Sequence, residues 1–430
     1  MCADTPRTLI FHVDINSCYT SCEKLLDPSI GNRPVLVLSN NDGCIISLDA
    51  AAKDLGFIMG QPWFTVQEKA KELGVVVRSS NYELYGDISH RVMLLLESYA
   101  QEFEQYSIDE AFLTITASLP QARALARRIK EDLARRVGVP VCVGVAASKT
   151  LAKLANRTAK KIPALRGVCV WDALPPQRVD ALLSTLPAGE VWGVGSRGAQ
   201  KLAGMGILSV KDLKEASLGL IRKRFSVVLM RTVLELRGVR AIELEPERVF
   251  KDQMMYSRSF SDPVTSEDTM RQVLSIYAQR ASGRLAKSGQ VAGLVSAFCS
   301  TSRYAAGGFV RADVQVKLPA PTADPIILTQ ACAQLLERAT FGAVRYAKAG
   351  VVVSDLTPAG ATALLDPFAL SHETRDIAGL VHSIKEKCGP RSLGVGYGGL
   401  AQSPAWEMKR EMLSRRGTTH WAELPVAVIK

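Results

Sequence analysis

Two adjacent carboxylates interrupt a strand-like run of the sequence, Tyr106-Ser107-Ile108-Asp109-Glu110-Ala111-Phe112-Leu113. Tyr, Ile, Phe and Leu suit a half-buried pleated surface, whereas Asp is depleted there and a buried charge needs a partner. Because successive strand side chains point to opposite faces, both acids can serve one site only if the chain turns at or just before them. We therefore predict that residues 104–113 form the tip and second arm of a hairpin, with the acids at its bend. The simpler interpretation is that one acid is exposed and the other is salt-bridged.

A third acid lies near the start of the chain, where the apolar run of residues 9–16 reaches Asp14. Two strands that each end in acid can meet in one sheet. Three carboxylates without a nearby Cys/His cluster suit Mg²⁺, which takes few protein ligands and leaves room for substrate phosphates. Two such ions about 3.5–4 Å apart would stabilise the attacking and leaving oxygens of a phosphoryl transfer. The three acids therefore predict a magnesium site.

The bulk composition indicates a multidomain globular protein. The chain has 430 residues, of which 47% are hydrophobic, and it contains no apolar run long enough to span a membrane. Its net charge of +11 favours a polyanionic partner. Nine cysteines without CxxC spacing predict reduced thiols, and five histidines without ligand spacing argue against zinc. No charged segment followed by an apolar one opens the sequence, so we expect a cytoplasmic protein with no membrane partner.

Three motifs in order resemble those of the Y-family translesion DNA polymerases. They are Asp-Ile-Asn-Ser-Cys-Tyr-Thr-Ser-Cys-Glu at 14–23, Ser-Ile-Asp-Glu at 107–110, and Val-Gly-Val-Ala at 143–146 followed by Lys149, Lys153 and Lys160. Residues 39–44 and the stretch from 408 to 425 resemble the UmuC subgroup (UmuC/MucB/RumB-like), the subunit type of DNA polymerase V. The resemblance covers nearly the whole chain. It implies an error-prone DNA-directed DNA polymerase that acts in the SOS response to DNA damage.

The same resemblance implies an α+β multidomain protein with the right-hand polymerase fold. The expected domains are a split-βαβ catalytic palm (1–17 and 84–170), small fingers (18–83), a helical thumb with a helix-hairpin-helix (171–241), a βαββαβ little finger (247–355) and a short UmuC-type C-terminal region (365–430). Residue patterns favour parts of this division. Asn41-Asp42-Gly43 predicts a hairpin within residues 35–48, and alternation over residues 310–318 predicts a sheet with one exposed face. Asp87 is expected to cap a palm helix, and Trp406 to begin a short basic helix.

The resemblance also assigns roles around the three acids. Asp14 and Asp109 would bridge two Mg²⁺ ions, Glu110 would complete the ion nearer the primer, and the Ile15 carbonyl would help to hold the other. Tyr19 stands where the family has its steric gate, an aromatic ring that clashes with the 2′-hydroxyl of a ribonucleotide. The other implied nucleotide contacts are Cys18, Cys44, Ile46, Lys53 and Lys160. Cys18 departs from the family pattern, which usually has another aromatic residue there.

Further residues are candidates for binding DNA. Gly193 and Gly195, with Lys201, resemble a helix-hairpin-helix whose exposed amides hold backbone phosphates without reading bases. Arg311 and Lys317 on the predicted exposed sheet face would add salt-dependent affinity for DNA. Lys149 and Lys153 are expected to face the template backbone or solvent.

Partner predictions rest mainly on the subgroup resemblance. Leu364, Leu365 and Phe368 stand where the family often carries a sliding-clamp peptide, but the usual glutamine is absent and an ordinary linker is the alternative. Besides primer-template DNA and dNTP, the resemblance implies a processed UmuD-like dimer and RecA as partners. It also implies a bacterial, nucleoid-associated location.

Two other functions fit parts of the pattern. Nucleotide cyclases also have a split-βαβ palm with acids on its edge, but they need neither a helix-hairpin-helix nor a basic sheet domain. A non-catalytic DNA-binding homologue would be expected to lose an acid or the gate, whereas Asp14, Asp109, Glu110 and Tyr19 are all present. We therefore predict a template-directed polymerase that adds dNMPs to a primer 3′ end.

Overall fold

The computed structural model describes residues 4–245, 250–303, 305, 307–360, 376–389, 392–399, 404 and 406–424. The chain divides into two compact units. Unit 1 comprises Met1–Ser39, Cys44–Glu247 and Met412–Lys430, and unit 2 comprises Asn40–Gly43 and Arg248–Glu411. Within the described ranges, no helix is both long and apolar enough to cross a membrane.

Unit 1 contains the strands and helices up to residue 236. The strands are β1 (Arg7–Ile15), β2 (Val35–Leu38), β3 (Ile45–Leu48), β4 (Val76–Ser79), β5 (Glu102–Gln105), β6 (Glu110–Ala117), β7 (Val141–Ala146) and β8 (Val168–Val170). The helices are α1 (Cys18–Leu26), α2 (Ala50–Asp54), α3 (Gln67–Glu72), α4 (Tyr82–Glu97), α5 (Leu119–Arg136), α6 (Lys149–Lys161), α7 (Pro176–Thr185), α8 (Ser196–Ala203), α9 (Val210–Glu215), α10 (Leu218–Arg224) and α11 (Val227–Leu236).

The main sheet of unit 1 has five strands in the order β5-β6-β1-β7-β8. Strand β1 pairs antiparallel with β6 on one side and with β7 on the other. Side chains alternate along β1, so Leu9, Phe11 and Val13 pack with apolar residues of α4 and α5, whereas Ile10 packs with residues of α6. Helices therefore cover both faces, and the predicted split-βαβ arrangement around β1 is present.

The hairpin between β5 and β6 turns where the sequence predicted. The amides of Tyr106 and Ser107 both donate to the Glu110 carbonyl, at 3.0 and 3.1 Å. Glu110 is then the first residue of the outgoing strand. Both acids thus lie at the bend, as expected.

A smaller sheet in unit 1 has the order β3-β2-β4. Strands β2 and β3 pair antiparallel, which confirms the predicted hairpin, and β4 runs parallel to β2. Helix α4 follows β4 directly, and its cap is Asn81, whose side chain accepts from the Leu84 amide. The prediction that Asp87 caps this helix is wrong. Asp87 lies inside α4, where it pairs with Arg91 at 2.9 Å, because the helix begins farther upstream than the apolar spacing alone indicated.

Unit 2 contains β9 (Gln253–Val264), α12 (Glu267–Ser288), β10 (Gln290–Ser300), β11 (Arg311–Thr322), α13 (Pro325–Ala333), β12 (Tyr346–Pro358) and α14 (Ile377–Cys388). The sheet order is β11-β10-β12-β9, and each adjacent pair is antiparallel. The described elements therefore form the predicted four-stranded βαββαβ fold. Arg311 and Lys317 are exposed on β11.

The predicted short helix from Trp406 is wrong, because residues 406–410 form a turn followed by irregular structure. Trp406 is instead a buried anchor in the core of unit 2, edge-on to Phe260 and Tyr277. Its Nε1 donates to Gln272 Oε1 at 3.3 Å. Burial of the indole therefore fixes this stretch without helix formation.

Helix α6 packs directly against the backbone of the main sheet at Gly144. A Cβ atom added there would overlap the Ala152 carbonyl oxygen and the Asn156 backbone nitrogen. We expect Gly144→Ala to lower the free energy of unfolding by roughly 1–3 kcal/mol, because the helix must move off the sheet. Urea denaturation followed by circular dichroism measures this change.

Gly86→Ala is the matched control. Nothing lies within 4 Å of an added Cβ at this position in α4. We expect it to stabilise the protein by up to about 1 kcal/mol through helix propensity. Equal denaturation midpoints for the two variants would contradict the close approach of α6.

Candidate active site

The three predicted acids lie at one end of the β1–β6 pair. Asp14 and Glu110 are directly opposite each other in the register. The Asp109 carbonyl accepts from the Ile15 amide at 2.9 Å, which brings these two residues together at the end of β1. The fold therefore brings together residues almost a hundred positions apart, as predicted from the acid at the end of each strand.

Ser107 fixes the turn that carries two of these acids. Its Oγ donates to Asp109 Oδ1 at 2.5 Å and accepts from the amides of Asp109 and Glu110 at 3.2 and 3.1 Å. A hydroxyl that bonds backbone two and three residues on is the usual way in which Ser stabilises a tight turn. The serine of the Ser-Ile-Asp-Glu motif thus holds the backbone of both acids and the side chain of Asp109.

Two lysines from one helix neutralise the opposed carboxylates. Lys160 Nζ contacts Asp14 Oδ1, and Lys153 Nζ donates to Glu110 Oε2 at 2.9 Å. These lysines stand about two turns apart on α6, so they share the face that lies over the strand ends. Lys153 Nζ also lies 4.2 Å from the centre of the Tyr106 ring.

The expectation that Lys149 and Lys153 face the template backbone or solvent is wrong. Lys149 is 2% exposed, and its Nζ donates to Glu104 Oε2 at 2.6 Å. Lys153 belongs to the acid cluster. The basic composition of the helix was visible in the sequence, but the face that each lysine occupies depends on how α6 packs.

The acids differ in their protonation. Burial raises the pKa of Asp14 to about 6 against the pull of Lys160, and the charges of Glu110 and Asp109 add to the rise. Burial alone would also raise the pKa of Glu110, but His12 and Lys153 outweigh it and hold this pKa at about 2. The His12 Nε2 atom lies 3.5 Å from Glu110 Oε1. Because burial lowers the pKa of His12 itself, we assign to Lys153 the positive charge that lies beside the Glu110 carboxylate near neutral pH.

The donor chemistry suits a hard cation. Among the described residues, no group of three or more His, Cys, Asp or Glu side chains is arranged to hold a metal ion. The opposed carboxylates nevertheless offer only oxygen, and each already holds a cationic nitrogen. Carboxylate oxygens are the ligands that Mg²⁺ prefers, so the residues fit such an ion.

A cleft of about 360 Å³ opens beside the acids. Its walls come from β1, β6 and α6, from residues between α7 and α8, and from Leu236 of α11. The lining includes Asp14, Glu110, Lys153, Lys160, Glu190 and Trp192. The indole Nε1 of Trp192 donates to the Tyr106 hydroxyl at 3.1 Å, which connects this wall to the hairpin that bears the acids.

Tyr19 lies in the first turn of α1 and is half-buried. Its ring stacks on Tyr85 with centroids 4.5 Å apart and planes at 13°, and it meets Tyr82 edge-on at 5.8 Å. Burial raises the pKa of Tyr19 to about 12, so its hydroxyl remains protonated at neutral pH. The ring therefore rests on a second aromatic layer.

A buried carboxylate supports that layer. Glu23 of α1 is 1% exposed, and its Oε1 accepts from the Tyr85 hydroxyl at 2.6 Å. Sequence reasoning assigned no role to Glu23, Tyr85 or His12, and it assigned Lys153 a different one. A polar residue within an apolar run was the available signal for His12, but it does not say which partner the ring would meet. Glu23 stands between Cys22 and Lys24, where the sequence offers no such signal.

The remaining nucleotide candidates occupy separate positions in unit 1. Cys18 is buried in α1, and Lys53 is exposed on α2. Cys44 is half-buried just before β3, with its amide donating to Ser39 Oγ at 3.1 Å, and Ile46 is half-buried within β3. Their contacts with a nucleotide stay predictions.

The DNA and clamp candidates lie outside the acid cluster. Gly193 has φ = 84°, a left-handed conformation that favours glycine, and Gly195 precedes α8 as its N-cap. Lys201 Nζ contacts the Arg224 carbonyl and lies 4.6 Å from the centre of the Phe225 ring. Arg311 and Lys317 belong to unit 2. Leu364, Leu365 and Phe368 fall outside the described residues.

Comparisons with known proteins match most of the chain. Residues 13–157 match the impB/mucB/samB family, residues 251–365 match the C-terminal domain of the same family, and residues 378–427 match a domain of unknown function, DUF4113. Protein UmuC of Salmonella typhimurium (strain LT2) is 40% identical over 417 residues, which cover 96% of this chain and 98% of that protein.

Two further proteins that match this chain are DNA polymerases. DNA polymerase IV 2 of Bacillus subtilis (strain 168) is 30% identical, over 73% of this chain and 76% of that protein. A Y-family DNA polymerase chimera of Dbh and Dpo4 has a TM-score of 0.63 and 20% identity, over 81% of this chain and 99% of that chain. The chain thus belongs to the impB/mucB/samB family and has the fold of a Y-family DNA polymerase.

Proposed function

We propose that this protein is an error-prone translesion DNA polymerase, a UmuC-like catalytic subunit that adds dNMPs to a primer 3′ end. The observation that carries the proposal is the cluster in which Asp14 and Glu110 face each other and each meets a lysine of α6. Similarity to Protein UmuC over nearly the whole chain, and similarity to DNA polymerase IV 2, support the same reaction. Opposed acids beside lysine ammonium groups suit a polyphosphate substrate.

Asp14, Asp109 and Glu110, with the Ile15 carbonyl, would hold two Mg²⁺ ions. When bound, the ions would stabilise charge on the attacking primer oxygen and on the leaving pyrophosphate. The carboxylates themselves provide fixed negative charge at the end of β1 and β6. The ion pairs of Asp14 with Lys160 and of Glu110 with Lys153 support this assignment, because a metal cation can take the place of the ammonium group at each of these two acids.

Lys160 and Lys53 would bind the triphosphate. A lysine that leaves its carboxylate is free to neutralise a phosphate through a charge-assisted hydrogen bond. Lys160 is partly exposed and contacts Asp14, one of the acids that would hold the ions. The proposed exchange of partners would therefore bring the triphosphate beside the acids.

Tyr19 would select the sugar. Its ring is held from behind by Tyr85, so it can act as a wall under an incoming deoxynucleotide, with Cys18, Cys44 and Ile46 as further contacts. A ribonucleotide differs by one hydroxyl, and a rigid wall rejects it by steric overlap.

Primer-template DNA would contact the thumb and the sheet of unit 2. Gly193, Gly195 and Lys201 would hold backbone phosphates, and Arg311 and Lys317 would add charge from an exposed strand. Such contacts position DNA without reading its sequence, and their contribution falls with added salt.

Similarity to Protein UmuC over nearly its whole length supports assembly with a processed UmuD-like dimer and RecA during the SOS response. A sliding clamp is a further proposed partner, through Leu364, Leu365 and Phe368. The corresponding location is the bacterial cytoplasm, at the nucleoid.

Asp109→Asn should abolish primer extension. The amide removes a negative charge from the proposed metal site with little change in shape, so we expect a loss of at least about a hundredfold. The assay is extension of a primer on gapped DNA with Mg²⁺ and dNTPs, alone and with a processed UmuD-like partner and activated RecA. Glu131→Gln removes an exposed carboxylate of α5 and serves as the control. Failure of the folded, DNA-bound wild-type protein under every condition would favour a non-catalytic homologue.

Tyr19→Ala should admit ribonucleotides. Removal of the wall is expected to raise the efficiency of rNTP relative to dNTP incorporation by about tenfold or more, which is equivalent to about 1.4 kcal/mol. Single-nucleotide incorporation kinetics give this ratio. Tyr99→Phe, which alters a tyrosine paired with Asp132, should leave it unchanged. An unaltered ratio in Tyr19→Ala would remove the gate assignment.

Lys160→Met should weaken nucleotide binding. We expect the KM for dNTP to rise by about tenfold, because one charge-assisted phosphate contact is lost. The neighbouring Lys161→Met is the matched control, since Lys161 is exposed at the end of the same helix. Steady-state kinetics over a range of dNTP concentrations distinguish the variants, and equal KM values would argue against a triphosphate role for Lys160.

A further inference from the structure

The segment Met412–Leu424 is built into unit 1, far in sequence from the residues that it contacts. The Ser79 amide donates to the Met412 carbonyl, and the Met412 amide donates to Ser79 Oγ, both at 3.0 Å. Leu413 extends this contact as a parallel bridge to Ser79. The Met412 side chain packs against the core of the small β3-β2-β4 sheet. These backbone bonds attach the segment at the end of β4.

Asn81 joins the segment to the start of α4. Its Oδ1 accepts from the Leu84 amide, while its Nδ2 donates to Ser414 Oγ at 2.9 Å and to the Ser414 carbonyl at 3.3 Å. Asn81 has no exposed surface. The helix cap is therefore also the anchor of Ser414.

Ser414 in turn forms a hydrogen bond to Glu23. Its hydroxyl donates to Glu23 Oε1 at 3.0 Å, the same oxygen that accepts from Tyr85. A buried carboxylate needs such donors, because burial raises its pKa and disfavours the ionised form. The bonds from Tyr85 and Ser414 act in the opposite direction on the pKa of Glu23 and favour its ionised form. Arg78 is 3.9 Å from the other oxygen and adds a weaker contact.

Tyr85 connects this carboxylate to Tyr19. The Tyr85 ring is fully buried and lies flat against the Tyr19 ring, and its hydroxyl is held by Glu23. A ring that is fixed at its hydroxyl and stacked on its face cannot slide without breaking one of these contacts. The contacts therefore run without a gap from Ser414 through Glu23 and Tyr85 to Tyr19.

An ion pair closes the segment on itself. Arg416 donates to Glu423 through its amide at 2.6 Å and through Nε at 2.9 Å. Its Nη1 lies 3.7 Å from Glu83 Oε2 in the first turn of α4. The segment is thus held at a second point on the helix that carries Tyr85.

We propose that Met412–Leu424 is a positioning element for the nucleotide site, in which Ser414 acts through Glu23 and Tyr85 to set the position of the Tyr19 ring. This inference rests on the proposed polymerase function and gives a role to the last part of the region that matches a domain of unknown function. Ser414, Glu23 and Tyr85 are positioning residues, because they act through Tyr19. Their expected effect is on the choice between deoxyribonucleotides and ribonucleotides.

The test compares Ser414→Ala, Tyr85→Phe and the double variant in the full chain. Each single change removes one hydrogen bond to the same buried oxygen, and we expect each to raise the relative efficiency of rNTP incorporation by about threefold to tenfold. The double variant should show no more than the larger single effect, because both changes break one line of contacts. Ser414→Thr, which keeps the hydroxyl, should retain wild-type selectivity. Thr419→Ala removes an exposed hydroxyl elsewhere in the segment and should also change nothing.

A second readout does not depend on activity. Hydrogen exchange of the Ser79 and Met412 amides reports on docking of the segment, and it should be faster in Ser414→Ala than in the wild type or Thr419→Ala. Faster exchange together with altered selectivity supports the inference.

Failure of the positioning role and failure of the polymerase assignment give different results. Normal dNTP extension with unchanged selectivity in Ser414→Ala and Tyr85→Phe would overturn the positioning role and leave the polymerase assignment intact. Absence of extension by the wild type would count against the proposed function. Hydrogen exchange would then decide the inference. Equal exchange rates of the Ser79 and Met412 amides in the wild type and in Ser414→Ala would overturn it.

Discussion

Helix α6 lies close against the main sheet because residue 144 is a glycine, and hydrogen bonds from Asn156 hold the helix there. The glycine leaves room for the helix backbone. Asn156 Nδ2 donates to the carbonyls of His12 and Cys142, at 3.0 and 2.7 Å, and so bonds the helix to both β1 and β7. A buried amide with two acceptors at these distances fixes the helix in rotation as well as in distance.

The charge arrangement of the site depends on that fixed helix. Its first turn places Lys149 on the buried Glu104, and its later turns place Lys153 and Lys160 on the opposed acids. A rotation of α6 would leave several buried or half-buried charges without partners, which is far more costly than the loss of an exposed ion pair. Packing and electrostatics therefore select the same position of the helix.

Much of this fold could be predicted from local patterns. The acid-bearing hairpin, the β2–β3 hairpin and the βαββαβ order followed from apolar runs, turn residues and alternation, which act over a few neighbouring positions. The meeting of Asp14 with Glu110 followed because each strand carries an acid at one of its ends. The roles of Lys149 and Lys153 did not follow, since composition shows that a helix is basic but not which face packs. The Glu23–Ser414 hydrogen bond joins residues 391 positions apart, and no periodicity indicates such a contact.

The hydrogen bond between Ser414 and Glu23 also means that the support of Tyr19 is completed only late in synthesis of the chain. Residue 23 leaves the ribosome early, whereas its hydroxyl donor at 414 is added almost 400 residues later. A nonsense codon shortly before position 412 would preserve every proposed catalytic acid and the Tyr19 ring, yet remove the support behind that ring. Such a truncated product would retain the groups for nucleotide transfer while lacking the contact that we infer to sharpen sugar selection.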